Sequence, residues 1–127
     1  MKSNRRSTTK GLLYTREDDE EALRLSFKSE GDRYFVVAYR NDDEFLMVGS
    51  GWSLPADAPV DAALIAANRM NARKKFVKTA LWEDERDVIF TVELFLRDRT
   101  AFGDHFLRLL DALQETTTDF FAELRRA

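Results

Sequence analysis

The stretch from residue 23 to residue 52, LRLSFKSEGDRYFVVAYRNDDEFLMVGSGW, decides the fold. Leu23, Leu25 and Phe27 alternate with Arg24, Ser26 and Lys28. A two-residue period of this kind is the mark of a strand with one buried face. Glu30-Gly31-Asp32 supplies a turn, and RYFVVAYR, Arg33 to Arg40, is a second strand. Asn41-Asp42-Asp43 turns the chain again into a third strand, EFLMVGSGW, Glu44 to Trp52. Gly49 and Gly51 predict a bend or bulge near its end. The three strands read as an antiparallel meander.

Downstream, Pro55 and Pro59 punctuate a link to a helix from about Val60 to Lys75. Ala62, Ala63, Leu64, Ala66 and Ala67 give it high intrinsic propensity. Asp61 in its first turn and Arg73, Lys74 and Lys75 in its last suit the macrodipole. A fourth strand follows from Val77 to Glu83, then a turn at Asp84-Glu85-Arg86 and a fifth strand from Asp87 to Arg97. In the fifth, Val88, Phe90, Val92, Leu94 and Leu96 form the inner face. Phe102, Phe106, Leu109, Leu110, Leu113, Phe120, Phe121 and Leu124 recur at three- and four-residue steps, a long amphipathic helix from about Ala101 to Arg125. Its weakest point is the β-branched run Thr116-Thr117-Thr118, where a kink is expected. The pattern predicts an α+β domain with a five-stranded antiparallel sheet, helices on one face and the order β-β-β-α-β-β-α.

Upstream, residues 1–10 are polar and acid-free, with Lys2, Arg5, Arg6 and Lys10, and read as a flexible basic arm. Residues 11–127 then make a single domain, an ordinary size for one hydrophobic core. Leu12, Leu13 and Tyr14 are a short apolar anchor, and the five acids from Glu17 to Glu21, interrupted by none but one another, read as a solvated turn or loop. No apolar run approaches the roughly 18 residues of a membrane span. The chain has no cysteine, which excludes disulfides, thiolate metal sites and thiol nucleophiles and suits a reducing cytoplasm.

The order of elements and several residues resemble the YbjN-like bacterial family, whose fold is shared with type III secretion chaperones. The likeness runs from about Leu13 to Leu124. It is carried by Ala66-Ala67-Asn68-Arg69-Met70-Asn71 and by Lys78 leading into the next hairpin. The closing helix, the acidic stretch before the first strand and the Gly31-Asp32-Arg33-Tyr34 turn add to it. The resemblance implies a bacterial regulator that holds other proteins as a homodimeric chaperone or adaptor. Two features depart from the family's pattern. Met70 stands where an aromatic residue is usual, and the helix expected before the first strand is missing or reduced to residues 4–13.

The chemistry-bearing residues do not converge on a catalytic or metal centre. His105 is the lone histidine and has no second histidine or cysteine to help it hold a metal. Gly49-Ser50-Gly51-Trp52-Ser53 lacks the G-x-S-x-G spacing of a nucleophile elbow and the Gly-Lys-Ser/Thr of a phosphate loop. The acidic run lacks the alternating ligands and central glycine of an EF-hand. We therefore expect no enzyme, no cofactor and no metal. Asn68 and Asn71, three apart on one helix face, read as structural amides that hydrogen-bond neighbouring backbone.

Two association signals remain. The basic cluster Arg69, Arg73, Lys74, Lys75 and Lys78, with the arm, offers an alternative role as a nucleic-acid-associated factor, opposed by a net charge of −3. The stronger signal is apolar residues on both faces of the strands, more than a monomer of this layout needs to bury. Phe35, Tyr39, Trp52, Trp82 and Phe95 are the candidates for a protein interface, with a second copy or an unidentified protein client as partner.

Overall fold

The computed structural model describes residues 3–9, 12–97 and 101–126. The fold is α+β, an open antiparallel sheet with two helices, in the order β1 (Ser3–Thr9), β2 (Leu12–Asp18), β3 (Ala22–Ser29), β4 (Asp32–Tyr39), β5 (Asp42–Ser53), α1 (Val60–Arg73), β6 (Lys78–Trp82), β7 (Asp87–Phe95) and α2 (Phe102–Arg125). The sheet has seven strands in the spatial order β1-β2-β3-β4-β5-β7-β6, against the five that the sequence pattern predicts. The two additional strands lie at the N-terminal end. Ser3–Thr9, expected as a flexible arm, pairs with β2 from Ser3↔Asp18 to Thr9↔Leu12. Lys2, Lys10 and Gly11 lie outside the described residues. Glu17 and Asp18, expected in a solvated turn, belong to β2 and pair with Arg24 and Leu23 of β3. Seven polar residues in a row, SNRRSTT, carry no hydrophobic alternation, so nothing in the side-chain pattern distinguishes this strand from a solvated segment. No helix precedes the sheet among the described residues; strands stand there instead.

Turn chemistry sets the register of the meander. Ser29 pairs with Asp32, leaving Glu30 (φ 53°) and Gly31 (φ 87°) as the two central residues. Positive φ at both is the type I′ geometry whose twist matches the flanking strands. The bulge expected near Gly49 and Gly51 is absent on the β7 side, where pairing runs unbroken from Phe45↔Phe95 to Ser53↔Asp87. The irregularity lies between Ala38 and Tyr39. Gly49 has another reason to be glycine. A Cβ there would stand 2.6 Å from the Phe35 ring and 2.6 Å from the Phe90 carbonyl oxygen.

One face of the sheet carries the core. Phe27, Tyr34, Val48, Val88, Phe90 and Val92 meet Ala63, Ala66, Ala67 and Met70 of α1 and Leu109, Leu110, Leu113, Phe120 and Leu124 of α2. The alanines let α1 approach closely, and Met70 is buried among them. Phe120 meets Phe90 edge-on at 5.5 Å between ring centroids, and Phe106 meets Phe27 at 5.6 Å, so α2 spans the sheet from β3 to β7. The threonine run does not interrupt it. Thr116 Oγ1 and Thr117 Oγ1 donate to the carbonyls of Ala112 and Leu113 at 2.8 and 2.7 Å, satisfying themselves within the helix.

Gly49→Ala should destabilise the fold by about 1–3 kcal/mol, the range of overpacking in a tight site. The Phe90 carbonyl cannot yield without breaking the β5–β7 ladder. Urea unfolding followed by circular dichroism would measure the change.

Candidate functional site: an uncovered aromatic sheet face

Side chains alternate across a strand, and residues paired across an antiparallel ladder share a face. With Phe90, Val48 and Val36 against the helices, the opposite face is fixed by register. It holds Phe35, Val37 and Tyr39 of β4, Phe45 and Met47 of β5, Ile89 and Phe95 of β7, and Ala80 and Trp82 of β6. None of the helices packs on this side among the described residues. Tyr39, Phe45 and Phe95 form a ladder of rings, with centroids 5.6 Å apart at each step. Phe35 lies across Gly49, flattened on the sheet. Phe95 is 72% exposed and Trp82 55%. The Lys78–Glu93 ion pair lies on the same face, with Glu93 beside Met47 and Lys78 beside Thr91.

Four of the five expected interface residues, Phe35, Tyr39, Trp82 and Phe95, lie on this face, with Tyr39 and Phe95 at one end of the sheet and Trp82 at the other. Trp52 does not join them. Its register partner is Val88, and its ring packs edge-on against Phe121 of α2, so it belongs to the helix side. Phe45, Met47 and Ile89 complete the patch; strand alternation carried the signal for them, once Phe90 is assigned to the core.

The basic cluster is largely engaged within the chain. Arg69 Nη1 donates to Glu123 at 2.7 Å, and Arg73 approaches the same carboxylate at 3.7 Å. Lys74 binds both Asp119 and, at 3.2 Å, Glu115. Lys78 pairs with Glu93 at 2.6 Å. Lys75 is exposed. Acids of α2 and β7 thus oppose the field that phosphate binding needs. The Arg69 hydrogen bond holds Glu123 below the usual glutamate range, against the opposing pull of burial, with Arg73 adding to the lowering.

The amides divide. Asn71 Oδ1 accepts from the Thr79 N–H at 2.8 Å, and Asn71 Nδ2 donates to the Thr79 carbonyl at 3.0 Å. That pair of bonds reproduces what a neighbouring strand would offer at the β6 edge. Asn68 is exposed. His105 is also exposed, in the first turns of α2. Ser50 is 1% exposed, and its hydroxyl has no hydrogen-bond partner among the described residues.

Comparison with protein families matches residues 8–126 to YbjN, described as "Putative bacterial sensory transduction regulator". The chain belongs to the YbjN family. The match covers both helices and all the strands from β2 onward. Comparison with curated proteins and with solved structures gave no significant match. None of the described helices of this YbjN-family chain is long and apolar enough to cross a membrane.

Two outcomes follow from the ion pairs and the amide. Glu123 has a depressed pKa in the folded chain, so its contribution is present above the unfolded value and is lost as pH falls through the folded one. Glu123→Gln should therefore lower the melting temperature near neutral pH, with the gap to wild type closing as pH falls below the ordinary glutamate range. Thermal melts across pH would show it. Asn71→Ala should cost about 1–3 kcal/mol by leaving the Thr79 backbone groups unpartnered, and amide exchange should rise first in β6.

Proposed function

We propose that this YbjN-family chain is a non-enzymatic, protein-binding regulator that works as a homodimer in the cytoplasm, in the manner of an adaptor or chaperone. The uncovered aromatic face carries the reading. Burying one such side chain stabilises an association by about 1.5–3 kcal/mol, and several lie side by side here. Phe35, Tyr39, Phe45, Trp82 and Phe95 are the anchors, the residue types that dominate binding energy at protein interfaces. The Asn71 amide on the Thr79 backbone supports contact through the face over strand addition at the β6 edge, because that edge is already partly satisfied. The family description as a regulator agrees with action through contact, and the lack of cysteine suits a reducing compartment.

Phe95→Glu combined with Trp82→Glu tests the reading. Both positions are exposed, so the fold should keep its melting temperature. Light scattering after size exclusion should give a dimer for wild type at micromolar concentration and a monomer for the variant. An unchanged dimer in the variant would move the contact away from this face.

A further inference from the structure

α1 turns away from the sheet a surface that the core does not use. Ala63, Ala66, Ala67 and Met70 face inward, which leaves Leu64, Ile65, Asn68, Arg69, Ala72 and Arg73 outside, all exposed. Leu64 is 41% exposed and Ile65 55%. Four-residue steps set Ile65, Arg69 and Arg73 in one row and Leu64, Asn68 and Ala72 in the next. Apolar side chains thus stand at the start of this surface and guanidinium groups towards its end.

The charge there is basic beyond what the fold needs. Arg69, Arg73 and Arg126 share the single Glu123 carboxylate, at 2.7, 3.7 and 3.2 Å. Lys75 follows them, exposed and without an ion pair among the described residues. A helix end carries about half a negative charge, which these cations exceed. Asp61, one turn before Ile65, is the only acid of α1.

Phe76 supplies a second observation. It stands just after the helix, 53% exposed and at φ 51°. The Val77 N–H donates to the Lys75 carbonyl at 2.7 Å and closes a three-residue turn around it. A bulky side chain in the left-handed region is strained, and glycine would relieve it. Packing does not compensate, since the residue is more than half exposed. Strain kept at an exposed aromatic residue points to a contact made outside the chain.

We infer that this surface docks an acidic, amphipathic segment of another protein, with apolar residues on Leu64, Ile65 and Phe76 and carboxylates on Arg69, Arg73 and Lys75. Arginine is the side chain best shaped to hold a carboxylate. The contact lies on the helix side, across the sheet from the aromatic face, and goes beyond the reading given above: it leaves the adaptor a surface for a partner when the aromatic face is covered. A nucleic acid fits less well. α1 carries no ring to stack a base, and Glu115 and Asp119 stand beside the cluster with Lys74 as their shared cation. A peptide can set its carboxylates at the arginines alone, whereas a phosphate backbone brings charge at every step.

Fluorescence anisotropy on the full chain tests the inference. The probe is a labelled peptide with leucine and phenylalanine at helical three- and four-residue steps and glutamate on its other face. It should bind, and the same peptide with lysine for glutamate should bind about tenfold more weakly or worse. Arg73→Glu with Lys75→Glu, which keeps the Arg69–Glu123 hydrogen bond, should weaken the glutamate peptide by a similar factor, and Ile65→Ser should weaken it too. Phe76→Gly should lose the peptide while melting no lower than wild type; a merely structural Phe76 would give a lower melting temperature and unchanged binding. Phe95→Glu with Trp82→Glu should bind the peptide as wild type does, which separates this surface from the aromatic face. Equal binding of the two peptides, full binding by the Arg73→Glu/Lys75→Glu chain, or loss of binding in the aromatic-face variant overturns the inference. So does a single-stranded oligonucleotide that binds more tightly than the glutamate peptide, or wild-type self-association that the α1 variants abolish.

Discussion

Phe90 fixes the two sides of this molecule. It is fully buried at the centre of β7 and meets Phe120 of α2 edge-on, so its strand can face the helices in one way alone. Because a one-residue slip would turn every side chain over, this contact propagates through the register to β5, β4 and β6. Val48 and Val36 follow Phe90 inward; Thr91, Gly49 and Phe35 are forced outward. Two helices cover the first set, and the second is left to find its own cover. The association proposed for the chain follows from that division.

Gly49 shows how tightly the two sides are coupled. It stands between the Phe90 carbonyl and the Phe35 ring, so the same absence of a side chain serves the ladder and flattens an outer aromatic onto the sheet. Arg86 plays a similar part at the hairpin before β7. With φ 56° it bends toward Pro55 and Ala58, tying the β6–β7 hairpin to the entry of α1. Asn71 ties the end of α1 back to β6. Helix and hairpin are thus locked together on the helix side, while the other face carries the rings together with the Lys78–Glu93 ion pair.

Much of this was legible in the residues. Period-two alternation in Leu23–Lys28 and in the strand centred on Phe90, and three- and four-residue steps in α2, placed five strands and both helices to within a few positions. The N-terminal strands were not, because SNRRSTT has no apolar period and β2 mixes Tyr14 with Glu17 and Asp18. Arg40 and Arg16 hold Asp18 below the usual carboxylate range, against the opposing effect of burial, and Arg40 reaches it from the turn after β4, beyond any local pattern. The helix runs unbroken through the threonines expected to be its weakest point, and two of their hydroxyls bond carbonyls of the preceding turn. Of the candidate site, the residue types were legible and their faces were not. Phe35, Tyr39, Trp82 and Phe95 lie on one face and Trp52 on the other, a division that parity within β5 does not give without its register to β7. Likewise, the acids opposing Arg69 and Lys74 lie more than forty residues away in sequence, beyond the reach of any local pattern.

The central claim is that the face opposite the helices is covered by protein in solution. Hydroxyl-radical footprinting over a dilution series reads it directly, with Phe76 and Leu107, exposed outside the patch, as internal references. Phe35, Phe45, Met47, Trp82 and Phe95 should be shielded at high concentration and become oxidised on dilution, while Phe76 and Leu107 react at a constant rate. Equal oxidation of the patch and the references at every concentration would contradict the account.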